Sequence, residues 1–244
     1  MKAFLLAAGK GTRLSPYTDE TPKCLIPVQG QPLLKIWLDH LLRFGIQEVL
    51  INTHHHAQQV MTFVDHYPCR KDMHIVISYE PELLGSAGTL WHNRGFVDGE
   101  DDFLIFYADN LTDLNLQLFM DFHYLCRKKK NLLTMALFHA PNPEACGIAE
   151  LDSDQKILSF VEKPKAPQSS LANAGIYMAS QEIFHYFPEK SLKTPGSNSV
   201  LDLGHHVLPL LTGKMFGYII HEYLRDIGTI ESYHLALEEW PQRD

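Results

Sequence analysis

"LLAAGKGTRLSPYTDETPKCLIPV" spans residues 5–28 and carries the most informative pattern in the chain. Its apolar start, predicted as the first β-strand, runs into a long polar loop that holds Gly9 and Gly11. The loop also carries three cations, Lys10, Arg13 and Lys23. Glycines let backbone N–H groups approach an anion closely, and an arginine can bind two oxygens at once. The pattern therefore predicts a strand that ends in an anion-binding loop.

Two familiar phosphate loops do not match this stretch. The P-loop pattern GxxxxGK[ST] is absent. The dinucleotide pattern GxGxxG begins with Gly9 and Gly11 but meets Leu14 at its third glycine. Neither a P-loop kinase nor a simple NAD-binding domain is therefore favoured.

Strands and helices alternate through the first half of the chain. Strands separated by helices are typical of a mainly parallel sheet covered on both faces. In such sheets ligands bind at the carboxyl ends of the strands, so we expect the glycine loop to lie at the binding edge. The predicted strands of this half cover residues 2–7, 48–53, 74–80 and 103–109, and the predicted helices cover 33–44, 57–64, a segment from Ser86, and 116–127.

The pattern changes after residue 131, where shorter strand-like segments are separated by proline and glycine. The segment 164–170 is predicted as a loop and not as a domain boundary. The predicted strands of this half cover residues 132–138, 147–152, 156–163, 173–179 and 215–223, and a closing helix covers 229–240.

Composition excludes several functional classes. A formal net charge of −8 argues against nucleic-acid binding through a broad basic surface. No run of about 18 apolar residues is present, and the first residues do not resemble a signal peptide, so we expect no membrane partner. Four scattered cysteines without a CxxC pair favour free thiols in a reducing cytoplasm.

The opening loop resembles the signature G-x-G-T-R-L-x-P-x-T-x-x-x-P-K-x-L of the sugar-1-phosphate nucleotidyltransferases. The resemblance implies an α/β, Rossmann-like three-layer sandwich with a mixed, mainly parallel central sheet, the nucleotide-diphospho-sugar transferase fold. It also implies one catalytic domain over residues 1–244, in which about 1–130 bind the nucleotide and 131–244 bind the sugar phosphate and supply the closing helix. The motif continues with "LLGSAGTL" (83–90), "YADN" (107–110), "VEKP" (161–164), "NAGIY" (173–177) and "RDIGTIESY" (225–233).

The activity that the resemblance implies joins a nucleoside triphosphate to a sugar 1-phosphate. A sugar phosphate oxygen attacks the α-phosphorus, and pyrophosphate leaves. This nucleophile is already ionised near neutral pH, so catalysis consists mainly of alignment and charge neutralisation. Mg²⁺ prefers oxygen ligands, and Asp109 and Asp226 match the family's metal-binding aspartates. From the residues alone, an aspartate at a strand end is also a common helix cap or turn residue.

The resemblance assigns roles residue by residue. The catalytic set is Arg13 on the triphosphate, Lys23 at the α-phosphate, and the metal ligands Asp109 and Asp226. The remaining nucleotide contacts are Leu6, Ala8, Gly9, Gly11, Thr12, Glu80, Gly85 and Ser86, and the sugar phosphate contacts are Asn110, Gly147, Glu162, Lys163 and Asn173.

The base is partly predicted by Glu80, which stands in the family's base-recognition segment. A carboxylate accepts from both N1–H and N2–H₂ of guanine, whereas glutamine would suit uracil or thymine better. This favours GTP with mannose 1-phosphate or a related sugar. If Glu80 faces solvent instead, backbone groups contact the base. UTP or dTTP with another sugar phosphate, CTP with phosphocholine, and a non-catalytic regulatory subunit also stay open.

Some residues depart from the family pattern. Ala108 stands where glycine usually precedes the metal aspartate, Ser86 replaces a common threonine, and Cys24 follows the signature lysine. All three are small and compatible with activity, and we interpret Cys24 as a packing residue. The family's C-terminal hexapeptide repeats are absent, so we expect no acetyltransferase activity. A homodimer stays open as a partner.

Overall fold

The computed structural model describes residues 1–188 and 200–240. The chain forms two compact units. The first contains Met1–Glu82, Phe106–Leu114 and the segment that begins at Glu222, and the second contains Leu83–Ile105 and Asn115–His221. The expected functional division near residue 130 stays a prediction.

Thirteen strands and six α-helices occur in the described ranges. Over the same residues, no helix combines the length and the apolar content that a bilayer span requires. The strands are β1 (Lys2–Leu6), β2 (Pro27–Val28), β3 (Gln31–Pro32), β4 (Glu48–Thr53), β5 (His74–Tyr79), β6 (Asp102–Tyr107), β7 (Asn110–Thr112), β8 (Leu133–His139), β9 (Gly147–Leu151), β10 (Ile157–Glu162), β11 (Leu171–Ser180), β12 (Met215–Ile219) and β13 (Leu224–Asp226). The helices are α1 (Leu33–Arg43), α2 (Ala57–Asp65), α3 (Gly85–His92), α4 (Leu116–Arg127), α5 (Leu203–His206) and α6 (Ile230–Glu239).

The first unit is built on three parallel strands. Strands β1, β4 and β5 lie side by side, with Leu5 paired to Ile51 and Ile51 paired to Ile77. Phe4 and Leu5 are both fully buried, which is why β1 is apolar on both faces. Because the strands are parallel, their carboxyl ends lie at one edge, and the glycine loop leaves the sheet there.

Helix α1 covers part of this unit. Leu34, Leu38 and Leu41 recur at helical spacing and are fully buried. The helix ends where Gly45 adopts a φ of +74° and the Ile46 N–H donates to the carbonyl oxygen of Leu41 at 3.0 Å. This glycine-terminated cap satisfies a carbonyl that the helix leaves open, and it confirms the predicted stop at Gly45.

Two predicted strands are wrong at their carboxyl ends. Strand β6 stops at Tyr107, and the chain then enters a separate short strand, β7, which pairs antiparallel with β13. The predicted strand 215–223 is likewise too long, since β12 stops at Ile219. Tyr223 is fixed instead by the first unit, where its N–H donates to the Asp113 carboxylate at 2.9 Å and its carbonyl accepts from the Thr112 hydroxyl at 2.7 Å.

The second unit contains the antiparallel part of the sheet. Strand β11 pairs antiparallel with β8 and β9, β9 pairs antiparallel with β10, and β12 pairs parallel with β8. Strand β6 contributes Asp102–Ile105 to this unit and its last two residues to the first. Parallel and antiparallel pairs together make the sheet mixed, which with the helices confirms the predicted α/β class.

Candidate active site

The glycine loop of the first unit is folded by close local contacts. Gly11 has a φ of +67°, and a Cβ at this position would lie 2.8 Å from Cγ2 of Thr18 and 3.1 Å from Cβ of Lys23. The Thr18 hydroxyl donates to the carbonyl oxygen of Gly11 at 2.8 Å. Glycine meets both requirements, a left-handed backbone and no side chain. It thereby brings the stem of Lys23 against the start of the loop.

The other predicted nucleotide contacts of this loop differ in exposure. Leu6 is the last residue of β1, Ala8 is buried, and Thr12 opens a short 3₁₀ turn. Gly9 has nothing within 4 Å of the position of a Cβ, so its backbone is open to a ligand. A cavity of about 30 Å³, with room for one or two water molecules, lies between this loop and the end of β6.

Lys23 occupies the centre of the predicted catalytic set. Only 7% of the residue is exposed. Its Nζ lies 2.6 Å from Oδ2 of Asp109 and 3.8 Å from Oδ1 of Asp226. The ammonium is therefore paired with both predicted metal ligands.

The two aspartates are brought together by backbone pairing. Asp226 ends β13 and pairs with Asn110, which directly follows Asp109. The N–H of Ile227 donates to the carbonyl oxygen of Asp109 at 2.9 Å. Asn110, predicted to contact the sugar phosphate, therefore lies in the first unit beside these carboxylates, and its carbonyl accepts from the Trp37 indole N–H at 2.7 Å.

Arg13 approaches the same carboxylates across Gly228. A Cβ on Gly228 would lie 2.5 Å from Oδ2 of Asp226 and 3.2 Å from Nη2 of Arg13, so a side chain here would displace the Asp226 carboxylate and crowd the Arg13 guanidinium. Desolvation and the charge of Asp109 raise the pKa of Asp226, whereas Lys23 and Arg13 oppose the rise. Arg13, Lys23, Asp109 and Asp226 thus form one cluster of alternating charge.

This cluster has the donor chemistry that suits Mg²⁺. The ion prefers oxygen ligands and commonly takes one or two carboxylates together with phosphate oxygens and water. Asp109 and Asp226 supply two carboxylates that are 35% and 55% exposed. Within residues 1–188 and 200–240 no group of three His, Cys, Asp or Glu side chains is placed to hold a metal. Phosphate oxygens and water would complete the coordination.

Glu80 is buried and does not face solvent. It is 2% exposed, and its Oε1 accepts from Nδ2 of Asn52 at 2.8 Å. Asn52 in turn accepts from the N–H of Ala7 at 2.7 Å through Oδ1. A hydrogen-bonded chain thus joins Glu80, at the end of β5, to the first residue after β1.

Cys24 follows Lys23 and is 2% exposed. Desolvation raises the pKa of its thiol to about 12. A thiol that stays protonated in this way is a poor nucleophile. Cys24 therefore packs within the first unit, and no covalent step runs through it.

Gly85 and Ser86 lie in the second unit, at the start of α3. Gly85 has a φ of +79°, and a Cβ there would collide with the carbonyl oxygen of Leu201. The Ser86 hydroxyl donates to Oδ2 of Asp202 at 3.1 Å and accepts from the N–H of Leu203 at 2.7 Å. Both predicted contacts thus also fasten the helix to the segment around Leu201.

Two of the predicted sugar phosphate residues of the second unit, Gly147 and Lys163, lie beside Glu162. Gly147 pairs with Glu162 across β9 and β10. A Cβ on Gly147 or on Gly204 would lie 2.5 Å from Oε2 of Glu162, so two glycines flank this carboxylate. Desolvation and the charge of Asp202 raise the pKa of Glu162, whereas His205 and Lys163 oppose the rise.

Lys163 and Asn173 are fixed by the backbone around them. Lys163 has a φ of +49°, and its N–H donates to the carbonyl oxygen of Cys146 at 3.0 Å. The Asn173 amide donates to the Tyr177 hydroxyl at 2.6 Å and accepts from the N–H of Gly175 at 2.9 Å. Asn173 thus shapes the irregular part of β11 through its own side chain.

Sequence reasoning missed four residues of these sites. Asn52 is a polar residue in the apolar segment "EVLINT", which was a usable signal. Gly228 stands in the motif RDIGTIESY, which was the signal for it. Asp202 and Gly204 carry no local signal, because their importance depends on contacts with residues distant in the chain.

A family model and several curated proteins match nearly the whole chain. A family model described as nucleotidyl transferase matches residues 2–243. The chain is 31% identical to a UTP–glucose-1-phosphate uridylyltransferase from Synechocystis sp., over 97% of this chain and 62% of that protein. It is 27% identical to a mannose-1-phosphate guanylyltransferase from Mycobacterium tuberculosis, over 95% of this chain and 62% of that protein. The chain spans about half to two thirds of the length of such curated relatives.

A solved structure resembles the whole chain. It is a Bacillus anthracis protein assigned as a glucose-1-phosphate thymidylyltransferase and crystallised with sucrose. The superposition has a TM-score of 0.85 at 26% identity and covers 100% of this chain and 98% of that chain. The two proteins therefore share a fold.

Proposed function

The chain belongs to the nucleotidyl transferase family, and we propose that it transfers a nucleotidyl group from a nucleoside triphosphate to a sugar 1-phosphate. Family membership confirms the resemblance that the sequence motifs indicated. The products would be a nucleoside diphosphate sugar and pyrophosphate. Names of the relatives include uridylyl- and guanylyltransferases, so the base is proposed from this chain's own residues. Mannose 1-phosphate is proposed because it is the sugar phosphate in the name of the guanylyltransferase relative.

One observation carries the proposal: Lys23 lies 2.6 Å from Asp109 and 3.8 Å from Asp226, with Arg13 on the other side of Gly228. Two carboxylates suit a hard cation, and two cations suit a triphosphate. A structural ion pair alone would not need four charges of alternating sign at the end of a glycine loop. Retention of all four residues also favours an enzyme over a non-catalytic homologue.

The proposed residues act by position and charge. Asp109 and Asp226 would hold Mg²⁺, which neutralises phosphate charge and orders the triphosphate when it is bound. Arg13 would bind the β- and γ-phosphates and stabilise the leaving pyrophosphate. Lys23 would donate to the α-phosphate, where negative charge gathers in the transition state. No side chain is required as a general base, because the attacking phosphate oxygen is already ionised.

Of the proposed sugar phosphate contacts, Asn110 belongs to the first unit, and Gly147, Glu162, Lys163 and Asn173 belong to the second. Lys163 would pair with the phosphate, and Glu162 would accept from sugar hydroxyls. The carboxylate of Glu162 lies where any side chain on Gly147 or Gly204 would displace it, so these two glycines keep its position free, which supports this role.

We propose GTP and mannose 1-phosphate as the favoured pair. Glu80 is a buried carboxylate whose orientation is fixed by Asn52, and a fixed carboxylate is the group that guanine N1–H and N2–H₂ would require. A uracil or thymine ring would direct carbonyl oxygens towards the same carboxylate. UTP, dTTP and CTP are therefore the competing nucleotides in the test.

The test measures pyrophosphate release by the purified chain with Mg²⁺. Each of GTP, UTP, dTTP, CTP and ATP is paired with a panel of sugar 1-phosphates and with phosphocholine. Release with one pair, abolished in Asp109→Asn, supports the proposed reaction and names its substrates. No release with any pair, from folded protein, would contradict it.

A further inference from the structure

We propose that Lys23 acts as an internal counter-ion of the metal site, so that a divalent cation binds strongly only together with the triphosphate. This inference rests on the proposed function, since it states when the metal binds, relative to the triphosphate, at the same residues. It adds a role for Lys23 before any substrate is bound.

The position of the ammonium carries the inference. The Lys23 side chain is 8% exposed, whereas those of Asp109 and Asp226 are 35% and 55% exposed. The ammonium is therefore the most buried of the three charged groups, while both carboxylates keep exposed surface. Its stem is held there by the close approach of Gly11, where a Cβ would lie 3.1 Å from Cβ of Lys23. The contact with Asp109, at 2.6 Å, is short enough for a charge-assisted hydrogen bond.

Charge at the cluster explains why a metal alone would bind weakly. Asp109 and Asp226 carry two negative charges, and Lys23 and Arg13 carry two positive charges. A divalent cation thus meets a cluster without net charge, and one carboxylate oxygen is already hydrogen-bonded. Mg²⁺ also gives up its water reluctantly, so it needs strong anionic ligands to bind.

A bound triphosphate would change this balance. Its oxygens offer Lys23 and Arg13 new partners with more negative charge than one carboxylate provides. The lysine side chain is a flexible four-carbon chain with a point charge, so its ammonium can turn from Asp109 to a phosphate without moving the backbone. Both carboxylates are then released to the metal, and metal and nucleotide bind cooperatively.

A purely structural ion pair makes a different prediction. In both cases removal of the ammonium takes a positive charge from beside two carboxylates, which lowers stability and strengthens metal binding to the nucleotide-free protein. A structural pair stays in place when nucleotide binds, so its removal would strengthen metal binding equally with and without nucleotide. In the counter-ion role the ammonium has already turned to the phosphate when nucleotide is bound, so the gain is confined to the nucleotide-free protein.

The experiment titrates the protein with Mn²⁺, first without nucleotide and then with saturating GTP but no sugar phosphate, and follows free Mn²⁺ by electron paramagnetic resonance. Lys23→Met removes the ammonium and keeps much of the stem. Lys35→Met is the matched control, because Lys35 also lies 2.6 Å from an aspartate, Asp39, in an ion pair away from the loop. Without nucleotide we expect at least a tenfold lower Kd for Mn²⁺ in Lys23→Met and an unchanged Kd in Lys35→Met. With GTP we expect the gain in Lys23→Met to disappear. Circular dichroism checks folding, and Lys23→Gln replaces Lys23→Met if that variant does not fold.

A second variant tests where the metal binds. Adding Asp226→Asn to Lys23→Met should cancel the gain in affinity. An unchanged Kd in nucleotide-free Lys23→Met, an equal gain in Lys35→Met, or an equal gain with and without GTP would overturn the counter-ion role. Because the nucleotide-free titration does not depend on turnover, a gain in Mn²⁺ affinity there, with no pyrophosphate release by the wild-type chain, would contradict the proposed reaction and leave the counter-ion role standing.

Discussion

The hydroxyl of Tyr233 donates to the carbonyl oxygen of Pro27 at 2.6 Å. This bond joins the C-terminal helix, which follows Asp226, to the end of the loop that carries Arg13 and Lys23. Tyr17, inside the loop, packs edge-on against Tyr233 with ring centroids 5.1 Å apart. The two segments that supply the charged cluster are thus held together by aromatic residues of the same unit.

Tyr233→Phe should weaken this connection. Loss of one hydrogen bond to a buried ring should lower the free energy of unfolding by about 1 kcal/mol. We also expect a lower kcat, since Asp226 would be held less firmly against Lys23. Denaturant unfolding and pyrophosphate release measure the two effects. Tyr124→Phe, at a ring that is 46% exposed, is the control and should change neither quantity.

Asp109→Asn and Asp226→Asn should each lower kcat by about 10²-fold or more, because each removes a ligand charge from the metal. Asp226→Asn should not lower Tm, since ionised Asp226 lies beside Asp109 with a raised pKa. If both variants kept the wild-type kcat, Asp109 and Asp226 would not be the metal ligands.

Glu162→Gln should make the protein more stable at pH 7. The folded-state pKa of Glu162 is raised above 4.5, so the ionised form destabilises the folded chain at neutral pH. As pH falls through the raised pKa, Glu162 becomes protonated and no longer destabilises the folded wild-type protein. The stability advantage of Glu162→Gln over the wild type should therefore shrink at low pH. Tm at pH 7 and at pH 4.5 measures the difference.

The kinetics of Glu162→Gln show whether Glu162 contacts the substrate or affects only the stability of the fold. Glu162→Gln should raise KM for the sugar phosphate and leave KM for the nucleotide unchanged. Glu150→Gln, at an exposed position on the neighbouring strand β9, is the control for stability and kinetics. Equal effects in the two variants would argue against a substrate contact by Glu162.

Glu80→Gln should lower the ratio of kcat/KM for GTP to that for UTP by about tenfold, the scale of one altered hydrogen-bonding contact. Glutamine keeps a side-chain oxygen that can accept from Asn52, so the local fold should persist. An unchanged ratio would exclude Glu80 from base selection.

Gly85→Ala should destabilise the chain more than Gly99→Ala. Both glycines have positive φ, +79° and +86°, which costs an alanine about 1 kcal/mol. Only Gly85 adds a collision, with the carbonyl of Leu201, because nothing lies within 4 Å of a Cβ on Gly99. Parallel urea unfolding of the two variants gives the difference, and equal losses would contradict the collision.

Local patterns predicted much of the fold. The apolar run of β1 and the spacing of Leu34, Leu38 and Leu41 indicate a buried strand and an amphipathic helix without reference to any other part of the chain. The short strands β7 and β13 were not predicted. Their three residues carry no periodicity, and their pairing joins segments more than a hundred residues apart.

The residues of the candidate site were predicted from residue types and family motifs. The contacts between those residues were not predicted. The sequence shows that Lys23, Asp109 and Asp226 are charged, but it does not show that the lysine lies between the aspartates. In the same way, Glu80 is visible as a carboxylate, whereas its bond to Asn52 depends on the neighbouring strand. Side-chain partners set by pairing of distant strands cannot be predicted from one sequence.

The buried thiol of Cys24 can report on the motion of the loop beside it. With its pKa near 12 and 2% of its surface exposed, it should not react with alkylating reagents while residues 12–28 stay closed. Its rate of labelling would therefore measure how often that segment opens, and ligands that hold the segment closed should slow the rate in proportion to their occupancy.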